Sequence, residues 1–346
     1  KWITFKGNKQ QAQVELTRLV AEFDRGVEPA PGKLTVDEWL RRWLRDVVAV
    51  RNRPRTVESY ASLVRNHLSP ALGRRKLHQL RPSDVDHMVA SMRAKGLTAN
   101  TALHAFTVLR KALRDAEQRG LVTRNVCRIA DSPKVDKYKV DPPEMEAVNR
   151  ILNEADRTEF GPILRFMAVT GIRRSEAIGL RWTNLDLDQS LVSIVATAQR
   201  LKGKGVVFQP TKTASSRRGI ALDPATVKVL RRHRASQAER VLAFGGGYID
   251  PDLVFADAIG AIIDPDRLSK AFRAIAIRAG YIDVNLHQLR HAHAAGLIRA
   301  GVHPRVVQDR LGHANAAFTM NVYGHASAGL QEQAARDFAA LLDAAH

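Results

Sequence analysis

The chain has 346 residues, enough for two or three domains, and 45% of them are apolar, which is enough to fill a core. Lysine and arginine outnumber aspartate and glutamate by 54 to 35, which gives a formal net charge of +19. A surplus of this size favours a polyanionic partner, and DNA, RNA and an anionic membrane surface would all fit the charge. Because no apolar run approaches the roughly 20 residues of a membrane span and no secretory signal is recognisable, we expect no membrane partner.

Cysteine usage narrows the class of protein further. The single cysteine, Cys127, excludes an internal disulfide and a thiolate metal cluster, and it suits a reducing cell interior. We predict that Cys127 is a small buried residue rather than a reactive thiol.

The first predicted element is an amphipathic helix over residues 9–25, followed by Gly26 as a stop signal. One helix cannot bury its own apolar face, so we expect it to be the end of a small domain whose beginning is missing. Residue 1 is a lysine rather than a methionine, so we also expect the natural chain to start earlier. Prolines and a glycine in residues 28–32 indicate a linker, and we place this first segment at residues 1–32.

A helical domain is predicted over residues 33–133. Thr35 and Glu38 make a capping-box pattern ahead of the first helix. Further helices are predicted after Thr56, from about residue 82 to 94 and from about residue 99 to 119. Four helices with short loops make a compact module, in which Trp39 and Trp43 are expected to be core residues rather than base-stacking platforms.

Two loops of this domain are basic. Arg51, Arg53 and Arg55 precede the second helix, and Arg74, Arg75 and Lys76 precede the third. A single cluster of this kind is explained about equally well by charged loop side chains that only face solvent and by a binding role. Two clusters in one domain of a +19 chain favour contacts with nucleic-acid phosphates, and we predict that role for these six residues.

The last domain is predicted over residues 134–346, after a charged linker. Its predicted helices cover about 143–156, 161–170, 224–243, 265–279, 288–300, 304–311, 316–323 and 328–343. Between them, β-branched residues and the turn glycines Gly203 and Gly205 predict a short β section at about 190–222. The fold class is therefore mainly α with a small β section, and the last predicted helix is a C-terminal tail.

Cleavage of a phosphodiester without a metal ion has definite chemical requirements. A nucleophile must attack phosphorus, fixed cations must stabilise the charged transition state, and a general acid must protonate the leaving oxygen. A side-chain nucleophile retains the bond energy in a covalent intermediate, so that the strand can be resealed. Arginine suits the cation role because its fork matches two phosphate oxygens.

Three segments supply candidates for these roles. Arg173 lies in a tight corner after Gly171, with Glu176 three residues on to support it. His287 and Arg290 have the spacing that puts both on one face of a helix. The third segment is Leu311-Gly312-His313, and Tyr323 follows ten residues after it.

The ordered set TGIRRSEAIGL, HQLRHAHA, LGHA and NVYGH resembles the signature of the tyrosine recombinase or phage-type integrase family. Each motif alone is common, whereas the ordered set over residues 170–323 is highly specific. The residues 33–133 resemble the helical core-binding DNA domain of that family, residues 134–346 its mixed α/β catalytic domain, and residues 1–32 the end of an arm-binding domain.

The resemblance implies a role for each matching residue. Arg173 and Arg290 would bind the scissile phosphate, His287 and His313 would hydrogen-bond it, and Tyr323 would form a 3′-phosphotyrosyl bond. The family's general acid is a lysine in a β-hairpin, for which Lys212 fits best, with Lys202 and Lys204 as competitors. Glu176 matches the acidic support position. The mechanism uses no metal and no cofactor.

The same resemblance implies a site-specific recombinase that passes through a Holliday junction, for integration or excision of a mobile element. The expected partners are double-stranded DNA, a homotetramer on synapsed DNA and accessory proteins that bend DNA or set direction, in the bacterial cytoplasm on the nucleoid. Two alternatives stay open: a type IB topoisomerase-like enzyme that relaxes DNA, and a catalytically silent, sequence-specific DNA-binding regulator. A metal site at His287, His291 and His293 is a further, weaker alternative.

Overall fold

The computed structural model describes residues 7–24, 34–135, 141–210 and 217–312, and it places Arg336, Phe338 and Ala340 in helical conformation. The chain divides into two compact units, Lys1–Lys137 and Tyr138–His346. The predicted fold class, mainly α with a small β section, is confirmed.

The first unit is helical throughout its described part. Its helices are α1 (Lys9–Asp24), α2 (Val36–Trp43), α3 (Ala49–Arg51), α4 (Pro54–Leu63), α5 (Ser69–Leu72), α6 (Pro82–Ala94) and α7 (Ala99–Gln118). The π-helical turn Leu44–Val48 joins α2 to α3 without a break, and the π-helical turn Val64–Leu68 joins α4 to α5. Beyond α1, these segments make up the four predicted helices. Sequence patterns did not foresee the π turns, because one extra residue per turn leaves the apolar periodicity almost unchanged.

Local signals and burial account for this helical module. At the start of α2, the Thr35 amide donates to Glu38 Oε2 at 2.7 Å and the Glu38 amide donates to Thr35 Oγ1 at 3.2 Å, so the capping box is present. Trp39 and Trp43 are buried in the core, as predicted. Their indole N–H groups donate to Ala112 O and to Asp115 Oδ2, which fixes α2 against α7. Cys127 is also buried.

The second unit mixes helices with two small sheets. Its elements are α8 (Met145–Ala155), α9 (Gly161–Thr170), α10 (Arg174–Ile178), β1 (Leu185–Asp186), β2 (Leu191–Ile194), β3 (Ala196–Leu201), β4 (Gly205–Pro210), β5 (Arg218–Ala221), α11 (Pro224–Phe244), α12 (Pro265–Arg278), α13 (Leu286–Arg299) and α14 (Pro304–Leu311). The helix predicted over 288–300 begins two residues earlier, because the Asn285 side chain caps it. The predicted helices 316–323 and 328–343 lie outside the described residues, apart from the three isolated positions near the C-terminus.

Both sheets are antiparallel. One has the strand order β1-β2-β5, with Val192 opposite Ile220, and the other is the β3-β4 hairpin. Gly203 and Gly205 have positive φ in the hairpin turn, as the sequence predicted. The sequence predicted a tight corner at Arg173 but not the short helix α10 that follows it.

The core of the second unit fixes the helices that carry the site. Residues from α9 and α13 face each other in it, including Phe166 and Met167 on α9 and Leu289 and Ala292 on α13. Leu289 and Ala292 are each 1% exposed, so α13 cannot rotate without exposing them. Their neighbour Arg290 is therefore held towards the carboxyl end of α9.

Candidate active site

Arg173 lies at a sharp corner between two helices. Gly171 ends α9 in the left-handed conformation, at φ +67°, and Arg173 precedes α10 in an extended conformation. The Arg173 amide donates to Glu176 Oε2 at 2.8 Å, and its guanidinium Nη1 donates to Glu176 Oε1 at 2.8 Å. Its Nη2 donates to the carbonyl of Gly312 at 2.9 Å. With 35% of its side chain exposed, Arg173 is anchored and also reaches the surface.

Glu176 is buried, and two arginines contact its carboxylate. Besides Arg173, the Arg218 guanidinium donates from Nη2 to Oε2 at 2.9 Å and from Nη1 to Oε1 at 3.2 Å. Burial alone would raise the pKa of Glu176, but the hydrogen bonds and charge of Arg218, followed by those of Arg173, lower this pKa below its usual range. The carboxylate therefore stays ionised and accepts two hydrogen bonds from Arg173.

Arg290 is buried on α13 and bridges two helix ends. Its Nη1 donates to Gly171 O at 2.6 Å and its Nη2 donates to Leu311 O at 2.7 Å. Only 3% of the residue is exposed. The plane of its fork is thus set by the carboxyl ends of α9 and α14.

Three arginines meet at the carboxyl end of α14. Arg218 Nε donates to the carbonyl of Arg310 at 2.7 Å, Arg290 to that of Leu311 and Arg173 to that of Gly312. The last carbonyls of a helix have no partner within the helix and carry the negative end of its dipole, so cations stabilise them. Two of these arginines are the predicted phosphate ligands, and the next residue along the chain is His313.

His287 is near both of these arginines. It lies in the first turn of α13, three residues before Arg290, and it is exposed. Partial burial of the ring and then the charges of Arg290 and Arg173 lower the pKa of His287. His287 and Arg290 also line a cavity of about 470 Å³, together with Arg174 and Arg273.

His291 and His293 have separate environments. The rings of His287 and His291 meet edge to face at 4.7 Å, and burial, with the charges of His287 and Arg290, lowers the pKa of His291 to about 4. His293 Nε2 accepts a hydrogen bond from Arg310 Nε at 3.2 Å. Burial and then the charge of Arg310 lower the pKa of His293 to about 4, so this ring is neutral at physiological pH.

The metal-site alternative gains no support from this geometry. His293 points its Nε2 at Arg310 rather than at the other two histidines. Within the part of the chain that the structure describes, no group of three or more histidine, cysteine or acidic residues could hold a metal ion.

Gly171 permits the close approach of α9, α13 and α14 at the site. A Cβ atom at this position would lie 2.6 Å from His293 Cδ2 and 2.7 Å from Leu311 Cδ2, and φ is positive. We expect Gly171→Ala to lower the free energy of unfolding by about 2–4 kcal/mol, because overpacking is added to backbone strain. Urea denaturation followed by circular dichroism measures this change.

Gly301→Ala is a matched control for the substitution at Gly171. Gly301 has φ +77°, and a Cβ there would meet no atom within 4 Å. Only the backbone term applies, so we expect a loss of about 1 kcal/mol. Equal losses for the two variants would contradict the packing argument.

Several predicted site residues are not brought together by the described part of the structure. Lys212, His313 and Tyr323 lie outside the described residues. The competitors Lys202 and Lys204 lie in the exposed turn of the β3-β4 hairpin. The structure therefore brings together Arg173, Glu176, His287 and Arg290, while the general acid and the nucleophile stay predictions.

The six basic residues predicted in loops lie at the surface of the first unit, but Arg51 ends α3 and Arg55 belongs to the first turn of α4. Arg51, Arg55, Arg74 and Arg75 are exposed, and Arg53 and Lys76 are half-buried. Arg55 pairs with Glu58 at 3.3 Å and Arg75 with Asp84 at 2.8 Å. The side chain of Asp84 is only 11% exposed, whereas the pair of Arg55 with Glu58 lies nearer the surface. A surface pair contributes only about 0–1 kcal/mol, so a phosphate could replace Glu58 as the partner of Arg55.

Comparison with known proteins decides the family. The model of the phage integrase family matches residues 140–329, and that of the phage integrase N-terminal SAM-like domain matches residues 35–92. The chain belongs to the phage integrase family. An integrase of Streptomyces ambofaciens is 29% identical over 325 residues, covering 91% of this chain and 82% of the relative. A XerC-like tyrosine recombinase of Caldanaerobacter subterraneus is 24% identical, covering 92% of this chain and 86% of the relative.

Solved integrase structures share the fold of this family member. The Tn1549 transposon integrase in complex with transposon right end DNA superposes with a TM-score of 0.73 at 19% identity, covering 87% of this chain and all of that one. A lambda integrase tetramer bound to a Holliday junction gives 0.63 at 17% identity, covering 91% of this chain and 90% of that one. These structures confirm the recombinase fold, and the family model together with the tyrosine recombinase relative confirms the enzyme class inferred from the sequence.

The sequence motifs did not assign Arg218 or Arg310 to the integrase site, and they indicated His293 only as a candidate metal ligand. One signal for Arg218 was present: it alternates with Gly219 and shares a strand face with Ile220, which is buried. An arginine on the inward face of a strand needs an acidic or carbonyl partner.

Within the part of the chain described, no helix is long and apolar enough to cross a membrane.

Proposed function

We propose that this chain is a site-specific DNA recombinase that joins Tyr323 covalently to a 3′ phosphate, exchanges strands through a Holliday junction, and serves integration and excision of a mobile element. One observation carries the proposal. Arg173 and Arg290, distant in sequence, donate to the adjacent carbonyls of Gly312 and Leu311, directly before His313. Two guanidinium forks are thereby gathered at one helix end, and His313 is the next residue in the sequence.

The arginine pair suits the transition state of phosphoryl transfer. Two guanidinium groups fixed by carbonyl and carboxylate acceptors need little rearrangement when negative charge grows on the phosphate oxygens. The lowered pKa of His287 favours its neutral form, which can donate one hydrogen bond to phosphate and accept a proton.

The covalent step balances as a transesterification. Tyr323 Oη would form the new bond to phosphorus and give up its proton, with His287 as acceptor. The 5′ oxygen would leave and take a proton from Lys212, while His313 would donate a further hydrogen bond to the phosphate. Attack by a 5′ hydroxyl then reverses these steps and reseals a strand, so no external energy source is required.

The partners follow from the family and the charge. Arg51, Arg53, Arg55, Arg74, Arg75 and Lys76 would contact DNA phosphates from the core-binding domain, which we place at residues 33–133. The catalytic domain would cover residues 134–346, and residues 1–32 would end an arm-binding domain. Because a lambda integrase forms a tetramer on a Holliday junction, we propose a homotetramer on synapsed double-stranded DNA, assisted by DNA-bending or directionality proteins.

A nicked suicide DNA carrying the crossover site tests this function. After cleavage the short 5′ fragment diffuses away, so religation fails and the covalent complex accumulates. We expect a slowly migrating protein–DNA band on a denaturing gel, and peptide mapping should place the DNA on a tyrosine. Site-specific DNA shifting without this band would favour the silent regulator, and relaxation of supercoiled DNA without a site requirement would favour the topoisomerase-like enzyme.

A further inference from the structure

We propose that Arg218 is a positioning residue for strand cleavage, which balances the buried charge of Glu176 and fixes the end of α14 beside Arg173. This inference rests on the proposed function, because it concerns the rate of the same reaction. Arg218 belongs to none of the motifs that identified the site.

The contacts of Arg218 are those of a built, buried cluster. Its side chain is 6% exposed, and that of Glu176 is 1% exposed. Two nitrogens of the fork meet the two carboxylate oxygens of Glu176, and the third nitrogen, Nε, donates to Arg310 O. All three guanidinium nitrogens of Arg218 thus donate to groups that support Arg173 or precede His313. A bidentate pair of this geometry is among the stronger and more directional ion pairs.

The charges of the cluster explain why a second arginine is needed. Arg173, Glu176 and Arg218 together carry two positive charges and one negative charge, a net charge of +1. Without Arg218, Arg173 and Glu176 form a neutral pair, and a phosphate near Arg173 meets a much weaker field. Glu176 would then also draw Arg173 more strongly towards itself. Arg218 therefore allows the carboxylate to orient Arg173 without cancelling its charge.

The position of Arg218 in the sequence also suits a role in positioning the active-site residues. It begins β5, pairs there with Ile194 of β2, and follows Lys212 by six residues. Its bond to Arg310 O ties this strand to the end of α14, which leads directly to His313. One side chain thus links the stretch after the proposed general acid to the stretch before the proposed nucleophile.

Arg218→Met, which keeps much of the side-chain length but removes the charge, tests the proposal. We expect single-turnover cleavage of the suicide DNA at saturating protein to slow about 100-fold, the effect of losing one preorganised electrostatic contact. Arg217→Met is the matched control, because Arg217 is the exposed residue directly before this strand, and it should cleave within about twofold of wild type. A rate for Arg218→Met within threefold of wild type would overturn the proposal.

A double variant separates charge balance from simple packing. Arg218→Met with Glu176→Gln restores a net charge of +1 at Arg173 and removes an under-compensated buried carboxylate. We expect this double variant to cleave about tenfold faster than Arg218→Met alone, although it has lost more native groups. If Arg218 served only to pack the fold, the double variant would be as slow as the single one or slower, and the proposal would fail.

The titration of Glu176 gives a readout without DNA. In protein labelled with carbon-13 at the glutamate carboxyl, with Glu176→Gln for assignment, Arg218→Met should raise the pKa of Glu176. An unchanged titration would refute the charge contact even in a fully active enzyme. Absence of any wild-type covalent complex would instead refute the proposed function and the catalytic role of Arg218, while leaving the titration result intact.

Discussion

Tyr323→Phe is expected to bind its DNA site with unchanged affinity and to form no covalent complex on the suicide DNA. The substitution removes one oxygen atom, the one that must form the bond to phosphorus, and leaves the aromatic ring in place. Loss of the nucleophile cannot be offset by the remaining cations, since they stabilise a transition state that no longer forms. The expected loss of adduct is therefore complete within detection, at least about 10⁴-fold.

Two measurements make this experiment decisive. A native gel shift gives the affinity, and a denaturing gel gives the adduct. Tyr281→Phe is the matched control, because Tyr281 lies in the same unit and packs half-buried against its core. It should form the adduct at the wild-type rate. An adduct formed by Tyr323→Phe would show that another residue is the nucleophile and would leave the arginine cluster without its proposed function.

Arg290→Met is expected to reduce the single-turnover cleavage rate by about 10³-fold or more, since a buried, preorganised cation is removed from the phosphate site. The same change leaves the carbonyls of Gly171 and Leu311 without this donor. An unsatisfied buried carbonyl costs about 1–3 kcal/mol, so we expect the free energy of unfolding to fall by about 3 kcal/mol as well. Urea denaturation and the suicide-DNA assay measure the two effects separately.

Arg290→Lys separates the loss of charge from the loss of geometry. Lysine keeps the positive charge but cannot bridge two carbonyls with one planar fork, so cleavage should remain slower than wild type by about 10²-fold. Arg299→Met is the control on the same helix, where the exposed pair with Glu144 at 2.7 Å contributes at most about 1 kcal/mol. Cleavage by Arg290→Met at a rate close to that of Arg299→Met would exclude Arg290 from the phosphate site.

Tyr323 and the two arginines have different roles in the proposed active site. In the proposed reaction Tyr323 would form the bond to phosphorus, whereas Arg290 and Arg173 would supply positive charge that is held by the ends of α9 and α14. Because both arginines donate to carbonyls within two residues of His313, their positions and that of the following chain are coupled. A change that moves the end of α14 should therefore affect phosphate binding before it affects the overall fold.

Much of the architecture could be predicted because its signals are local. The helix α14 has the bounds predicted from Pro304 at its start and Gly312 after its end, and α9 likewise ends before Gly171. The pairing of Arg173 with Glu176 was also accessible, since three residues separate them at the start of a helix. The spacing of His287 and Arg290 predicted a shared helix face for the same reason.

By itself, the sequence determined where most of the helices lie, the order of the motifs and the residue types that the chemistry requires. Only the tertiary structure decided which acceptors these residues meet: Arg218 reaches Glu176 across 42 residues, and Arg290 reaches Gly171 across 119. Spacing along one helix or strand predicts which way a side chain faces, but it does not predict which distant backbone groups the side chain will contact. The distant partners are set by the packing of α9 against α13 in the buried core, which brings the carboxyl ends of α9 and α14 together. The carbonyl groups at these helix ends then need hydrogen-bond donors, and three arginines supply them.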